Sequence, residues 1–262
     1  MLTPTKEAVS LNKIEIFPVT GLPIVKEGDD LGSLICYAAE KQGTPIQNYD
    51  IIVVTHVVVS RAEGNVANLE NIKPSEFAQI VAKKTGKDPK LVEVILRESK
   101  SIVRMSEGKL ITETKQGLVC ANSGVDRSNV SGNSNVALLP EDADNSALVI
   151  RQKIMQKTGK KVAVIVSDTH GRPLRRGEIN IALGISGFKP IRDRRGENDL
   201  FGYRIKVKHT AIADELASAA ELVIGQTNEG IPVGIIRGYP YPQSEMEKAT
   251  NLIRPREKDL FI

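Results

Sequence analysis

Runs of β-branched and aliphatic residues alternate with stretches of helical periodicity along the chain, and no tandem repeat, long linker or low-complexity tract interrupts them. This alternation predicts a mixed α/β (α+β) protein. With 262 residues, 40% of them hydrophobic and 26% charged, the composition is that of an ordinary globular chain. The length allows one large domain or two smaller ones.

The elements follow in order. "IEIFPV" (14–19) reads as a short strand. Asp29 and Asp30 then precede "LGSLICYAAEKQG", a helix with an acidic start and a glycine stop. "DIIVVTHVVVS" (50–60) is too uniformly apolar for an edge strand and is expected to be central. Pro74 and Pro89 each stand where a helix begins, and "PSEFAQIVAKKTG" and "DPKLVEVILRESK" follow as two consecutive helices. The segment 100–124 reads as two or three strands turning at Glu107-Gly108. A helix through "SALVIRQKIMQKTG" leads into the strand "VAVIVSDTHG". The stretch 211–225 is amphipathic, with Ile212, Leu216, Ala219 and Val223 on one stripe. "IPVGIIRG" closes the core as a last strand, before a polar, proline-bearing tail.

Composition excludes several classes. The net charge of +4 is too small to indicate nucleic acid and suits a phosphate-bearing ligand. Two cysteines, Cys36 and Cys120, are too few for a disulfide framework or a cysteine-rich zinc site. The N-terminal segment has no apolar stretch of the signal-peptide kind. The greasiest run, 50–60, is roughly half a membrane span. A soluble, cytoplasmic protein with neither a membrane nor a nucleic-acid partner is therefore expected. Neither G-x-x-x-x-G-K-[ST] nor G-x-G-x-x-G occurs, so the fold is expected to be neither P-loop nor Rossmann. His56, His170 and His209 are scattered, and no G-x-S-x-G elbow is present.

Two acidic segments of similar design follow apolar strands: "LVCANSGVDRSNV", with Asp126 and Asn129, and "VIVSDTHGR", with Asp168 and Thr169 at the strand end. Hard divalent cations take oxygen ligands, commonly one or two carboxylates completed by phosphate and water. Convergence of the two segments would make such a site; taken singly, each Asp also reads as the cap of a turn. Glycine turns at "VTGLPIVKEGDDL" and "VIGQTNEGIPV" leave backbone N–H groups open to an anion, or serve simply as connections. Ser60 and Arg61 follow the central apolar run, where Arg61 reads either as a phosphate contact or as a solvated charge.

Together, "FPVTGLPIVKEGDDL", "VVVSRAEG", "GLVCANSGVDRSNV", "VIVSDTHGRPLRRG", "ALGISGFKPIRD" with "DLFGYRIKV", and "ADELASAAELVIGQTNEGIPVGIIRG" resemble, in order, the coenzyme F-420:L-glutamate ligase (F-420-0:gamma-glutamyl ligase) family. The resemblance covers residues from about 14 to 240 and treats 1–262 as a single functional unit. It implies a GTP-dependent amide ligase using two divalent ions, manganese or magnesium, with potassium as a stimulating ion. Such an enzyme joins L-glutamate through its α-amino group to the lactyl carboxylate of a phospholactyl deazaflavin, F-420-0. The family reaction passes through an acyl phosphate, releases GDP and phosphate, and adds a second glutamate in γ linkage.

Carried over by position, the resemblance makes Asp126 and Asp168 the catalytic carboxylates that hold one metal, and Thr169 and Gln226 ligands of the second. It assigns nucleotide contacts to Thr20, Gly21, Leu22 and Pro23, to His56 and Val57, to Arg61 and to Asn129. The run Ile224, Gly225, Gln226, Thr227, Asn228, Glu229, Gly230 and Ile231 forms the second nucleotide loop. Arg61 stands where the family more often has lysine, and Val57 offers a nucleotide only backbone. Apart from the resemblance, Arg172, just after the Asp168 segment, reads as a phosphate or substrate contact. The resemblance also implies a homodimer. Because the nucleotide loops come from both ends of the chain, the two expected lobes interleave around mixed sheets. Two other classes stay open on the residues alone: a metal-dependent phosphohydrolase or other phosphoryl-transfer enzyme, and a noncatalytic basic RNA-binding protein. The aromatic share of 4% argues against base stacking by the latter.

Overall fold

A computed structural model describes residues 13–259. In chain order its main elements are β1 (Glu15–Pro18), α1 (Leu31–Lys41), β2 (Ile51–Thr55), α2 (His56–Ala62), β3 (Val66–Asn68), α3 (Glu76–Thr85), α4 (Pro89–Arg97) and β4 (Ser99–Ser106). There follow β5 (Lys109–Thr114), β6 (Val119–Ala121), β7 (Asn135–Ala137), α5 (Ala143–Thr158), β8 (Ala163–Gly171) and β9 (Glu178–Phe188). The chain ends with β10 (Arg192–Asp193), β11 (His209–Thr210), α6 (Ile212–Ala220), β12 (Val233–Arg237) and β13 (Gln243–Ser244). This is the mixed α/β architecture expected from the alternation of patterns.

A six-stranded sheet in the order β1-β12-β2-β8-β9-β13 forms the spine. Only β2 and β8 pair in parallel, Ile51 opposite Ala163 through Thr55 opposite Ser167. Their residues alternate between two apolar clusters. Ile52, Val54, Val164 and Val166 pack under α1 and α5, while Ile51, Val53, Ala163 and Ile165 pack under α6. Both faces are covered, which explains why these strands read as unbroken apolar runs. The contact of α1 with α5 is close, because a Cβ on Gly32 would lie 2.5 Å from Lys153 Cβ.

Between α2 and α5 the chain builds a separate cluster from α3, α4 and the buried face of a three-stranded sheet, β4-β5-β6. Caps define these helices: Ser75 Oγ accepts from Ala78 N at 3.2 Å, and Pro89 opens α4 behind Asp88. β3 and β7 form a two-stranded ladder at the entry to and exit from this insertion.

Two sequence expectations are corrected. The run 50–60 is not one strand but β2 followed directly by α2. Thr55 N still donates to Pro232 O, but beyond it the ladder to β12 ends, and Val58 and Val59 bury against the α1/α5 cluster as a helix. Burial there overrides β-branched propensity. Conversely, Asp168 and Thr169 do not follow the strand but lie inside it, since β8 continues to Gly171 in antiparallel pairing with β9.

Candidate active site

A cleft of about 1400 Å³ opens where β2 and β8 reach their C-terminal ends and the three-stranded sheet faces them. Carboxyl ends of parallel strands are the usual place for a site in α/β sheets. One wall carries Leu22, Pro23, His56, Val57, Arg61, Asp168, Thr169, Gly225, Gln226, Thr227, Gly230 and Ile231. The loop after β6 brings Asp126 and Asn129 to the same space, and Arg172 enters from the β8–β9 turn. A second cavity of about 790 Å³ adjoins the cleft, sharing Val103, Val119 and Asp259 with it.

Asp168 is the electrostatic centre. One carboxylate oxygen lies 3.2 Å from His56 Nε2 and the other 2.9 Å from His170 Nε2, while Thr169 N donates to the first at 2.7 Å. Burial would push this carboxyl up, but the His56 charge and the bonds from both imidazoles outweigh it and hold it well below the usual range. Burial would likewise lower His56; the charges of Asp168 and Asp126 prevail and raise it. The field of Asp126 thus reaches the same imidazole. Asp126 is fixed by a bridge to Ala137 and by Ser128, whose N and Oγ donate to its two oxygens at 2.7 and 2.6 Å.

On the opposite face of β8 from Asp168, Thr169 belongs to a ring of polar side chains. Its hydroxyl donates to Asn180 Oδ1 at 2.7 Å, and Asn180 Nδ2 donates to Glu221. Gln226 Nε2 donates to Glu221 and, at 3.0 Å, to Thr169 Oγ1. Antiparallel register places Thr169 opposite Asn180, and α6 delivers Glu221 at its end. The Gln226 carbonyl makes only a long contact, accepting from Thr169 Oγ1 at 3.4 Å.

Arg61 ties the two sides of the cleft mouth together. From α2 it donates to Val25 O at 2.6 Å and to Asn129 O at 3.3 Å, joining the turn after β1 to the loop of Asp126. Asn129 itself holds a left-handed backbone, φ 52°. Arg172 donates to Arg176 O at 2.7 Å and Gly177 O at 3.3 Å, so its guanidinium braces the β8–β9 turn at the edge of the cleft.

The nucleotide residues expected from the sequence divide. Thr20 and Gly21 sit outside the cleft lining: Thr20 N and Oγ1 both donate to Gln42 Oε1, at 2.8 and 2.9 Å. Ile224 is buried in the cluster under α6. Asn228 and Glu229 lie outside the lining, where Glu229 shapes the loop by accepting from Thr227 N at 2.7 Å. The others line one space. Sequence reasoning missed Asn180 and Glu221; the only signal was a lone amide in the otherwise apolar "INIALGISG".

Asp126, Asp168, Thr169 and Gln226 supply carboxylate, hydroxyl and amide oxygens to one cleft. Among the described residues no group of three or more His, Cys, Asp or Glu gathers as a ligand set. A hard divalent ion that keeps phosphate oxygens and water in its shell needs only one or two protein carboxylates. The donor set fits magnesium or manganese and is a poor match for zinc. Ser167, next to Asp168 in the chain, also borders this space, with its Oγ buried and without a partner.

Comparison with known proteins gives the family. The F420-0:Gamma-glutamyl ligase family matches residues 21–238. The chain is 47% identical over 249 residues to a coenzyme F420:L-glutamate ligase of Methanothermobacter thermautotrophicus, covering 95% of this chain and 98% of that protein. It is 48% identical over 251 residues to the protein of the same name from Methanocaldococcus jannaschii, covering 95% and 97%. Similarity to the Methanopyrus kandleri ligase is 45% over 254 residues, covering 96% and 98%.

Proposed function

The chain belongs to the F420-0:Gamma-glutamyl ligase family, and on that premise we propose that it joins L-glutamate to the lactyl carboxylate of the phospholactyl deazaflavin F-420-0 in coenzyme F-420 biosynthesis. The co-substrate is GTP, the ions are manganese or magnesium, and the carboxylate is activated as an acyl phosphate. The observation that carries this reading is the meeting of Asp126, Asp168, Thr169 and Gln226 with Arg61, with Leu22 and Pro23 of the first glycine loop and with Gly225, Thr227 and Gly230 of the second in one cleft.

The chemistry sets an anionic carboxylate against an anionic triphosphate, so catalysis rests on positioning and charge compensation. Bound divalent ions would neutralise phosphate charge as the phosphoryl group moves. Asp126 and Asp168 would hold one ion, and Thr169 and Gln226 the other. His56 and His170 grip both oxygens of Asp168 and so fix its carboxylate plane. Arg61 keeps the two loops at a set separation. The amine of glutamate then displaces phosphate from the acyl carbon, forming the C–N bond and losing a proton. Potassium activation and a homodimer belong to the same reading. A soluble, cytoplasmic enzyme belongs to it as well; no helix among the described residues is long and apolar enough to cross a membrane.

The test mixes the protein with GTP, Mn²⁺, L-glutamate and F-420-0, and follows GDP together with a product heavier by one glutamyl unit. Asp168→Asn is expected to retain the far-UV circular dichroism of the parent and to lose GDP formation by about a thousandfold or more, as for loss of a transition-state charge stabiliser. GTP turnover without the glutamyl product would refute the ligase reading.

A further inference from the structure

Another part of the cleft lining comes from β4, β5 and β6, and none of its residues is among the expected nucleotide contacts or metal ligands. Leu110, Thr112 and Thr114 turn to the buried side of this sheet. Lys109 and Ile111 therefore face the cleft, where Ile111 is in register with Arg104 on one side and Ala121 on the other. An irregularity between Ile102 and Arg104 leaves Val103 as an extra residue, and both Val103 and Arg104 line the cleft. Bulges of this kind re-aim side chains beside active sites.

Four cationic side chains line the cleft: Arg61, Arg104, Lys109 and Arg172. Arg61 and Arg172 are committed to backbone carbonyls. Among the described residues no hydrogen bond or ion pair is made by the side chain of Arg104 or Lys109. A third feature stands at the end of the same row. Asn122, Ser123 and Gly124 hold consecutive left-handed backbones, φ 55°, 52° and 70°, a costly conformation for the two non-glycine residues. The turn is locked by Ser123 Oγ, which shares hydrogen bonds of 2.7 Å with the hydroxyls of both Ser99 and Thr112. Asn122 lines the cleft, and its Oδ1 is buried without a partner. β6 packs on β8, and the charge of Asp168 is felt at Cys120, two residues before Asn122, so this wall borders the metal ligands.

We propose that Arg104, Lys109 and Asn122 form the binding site for the amino-acid co-substrate, an α-amino dicarboxylate. Two cations match two carboxylates, and rotation of the Asn122 amide brings its buried, unpartnered Oδ1 out to accept a hydrogen bond from the amino group, holding it beside Asp168. A phosphate would use the cations but leave the carbonyl unmatched. The proposal rests on the ligase reading above and names where its glutamate sits.

The test is steady-state kinetics of the full-length protein with L-glutamate varied at saturating GTP, Mn²⁺ and F-420-0. Arg104→Gln, Lys109→Gln and Asn122→Gly are each expected to raise KM for L-glutamate about tenfold or more, the scale of one lost charge-assisted hydrogen bond. KM for GTP and for F-420-0 stays within about twofold. Glycine suits the left-handed φ at 122, so that variant keeps the turn. With hydroxylamine in place of glutamate, acyl phosphate gives hydroxamate and phosphate, and all three variants should match the parent within about twofold. Glutarate, which lacks the amine, should bind Asn122→Gly as it binds the parent and bind Arg104→Gln more weakly. An unchanged KM for glutamate, or a raised KM for GTP or F-420-0 instead, would overturn the proposal. A parent protein that forms no glutamyl product would refute the ligase reading itself and the assignment of this wall with it.

Discussion

Glu221 is itself neither an expected nucleotide contact nor an expected metal ligand, yet its replacement by glutamine is expected to uncouple metal binding from stability. In the ring of Thr169, Asn180, Glu221 and Gln226, the carboxylate accepts from the amides of both Asn180 and Gln226. Glu221→Ala removes both acceptors and strands Asn180 Nδ2, on a residue only 1% exposed. A stranded buried donor costs about 1–3 kcal/mol, and loss of the second bond, discounted because Glu221 is half-exposed, brings the sum to roughly 2–3 kcal/mol. For a chain of this size that lowers Tm by roughly 5–10 °C. Glu221→Gln behaves differently. Its carbonyl can still accept from Asn180, but its amide then meets the Gln226 amide, donor against donor. Rotation of the Gln226 side chain by half a turn relieves the clash and keeps stability within about 1 kcal/mol. The same rotation turns an N–H toward the place of the second metal ion. Affinity for that ion should fall about 10- to 100-fold, the usual cost of losing a group that orients a metal ligand. Thermal unfolding by circular dichroism reads the first quantity, and Mn²⁺ titration by electron paramagnetic resonance, with a non-hydrolysable GTP analogue, reads the second. Wild-type Mn²⁺ affinity in Glu221→Gln, or a Tm loss equal to that of Glu221→Ala, would refute the orienting role.

Two further expectations concern parts of the molecule away from the chemistry. Burial pushes the Cys36 thiol up to about 11 and the Cys120 thiol up to about 12, the latter aided by the nearby charge of Asp168. Both should react with Ellman's reagent at pH 8 at least tenfold more slowly than in urea, with rates rising toward pH 10; fast native-state labelling of Cys120 would contradict the packing of β6 on β8. Asp50 is wholly buried and paired with Arg237 by bonds of 2.9 and 2.7 Å, so Arg237→Met should cost about 3–5 kcal/mol in urea unfolding. A loss under about 1 kcal/mol would show that the pair is dispensable.

How far the sequence carries depends on whether the determining contact is local. α3 and α4 were legible because Pro74, one residue before the Ser75 cap, and Pro89, which opens α4, mark their starts by chemistry that acts within a turn. The break at His56 was not, since residues 56–59 have strand propensity and become helical only because the neighbouring ladder ends and Val58 and Val59 find a core. The same distinction applies at the site. Asp126 and Asp168 stand out as acids after apolar runs of sequence, so their candidacy could be read directly. The two histidines on Asp168 could not be read together. His170 lies two positions along the same strand, while His56 reaches the carboxylate only because β2 and β8 run in parallel.

The polar partners of the second metal's expected ligands are a stricter case. Thr169 meets Asn180 only if the β8–β9 hairpin is in register, and that register shifts between Val166 and Ser167, where Gly184 and Ala182 are the successive partners and Leu183 is the extra residue. The bulge exists because Gly184 must lie against the start of α5; a Cβ there would come within 2.1 Å of the Ala143 backbone. On either side of Leu183, Ala182 N donates to Asp214 and Ile185 N to Asp144, at 2.9 and 2.8 Å. Those two carboxylates, from α6 and α5, hold the displaced strand in place. One-residue displacement exchanges the faces of a strand, so without the bulge Asn180 would point away from Thr169 and the ring could not close. A substitution at Gly184 should therefore disturb the cleft without touching it, because the packing of α5 on β9 sets which amide meets Thr169.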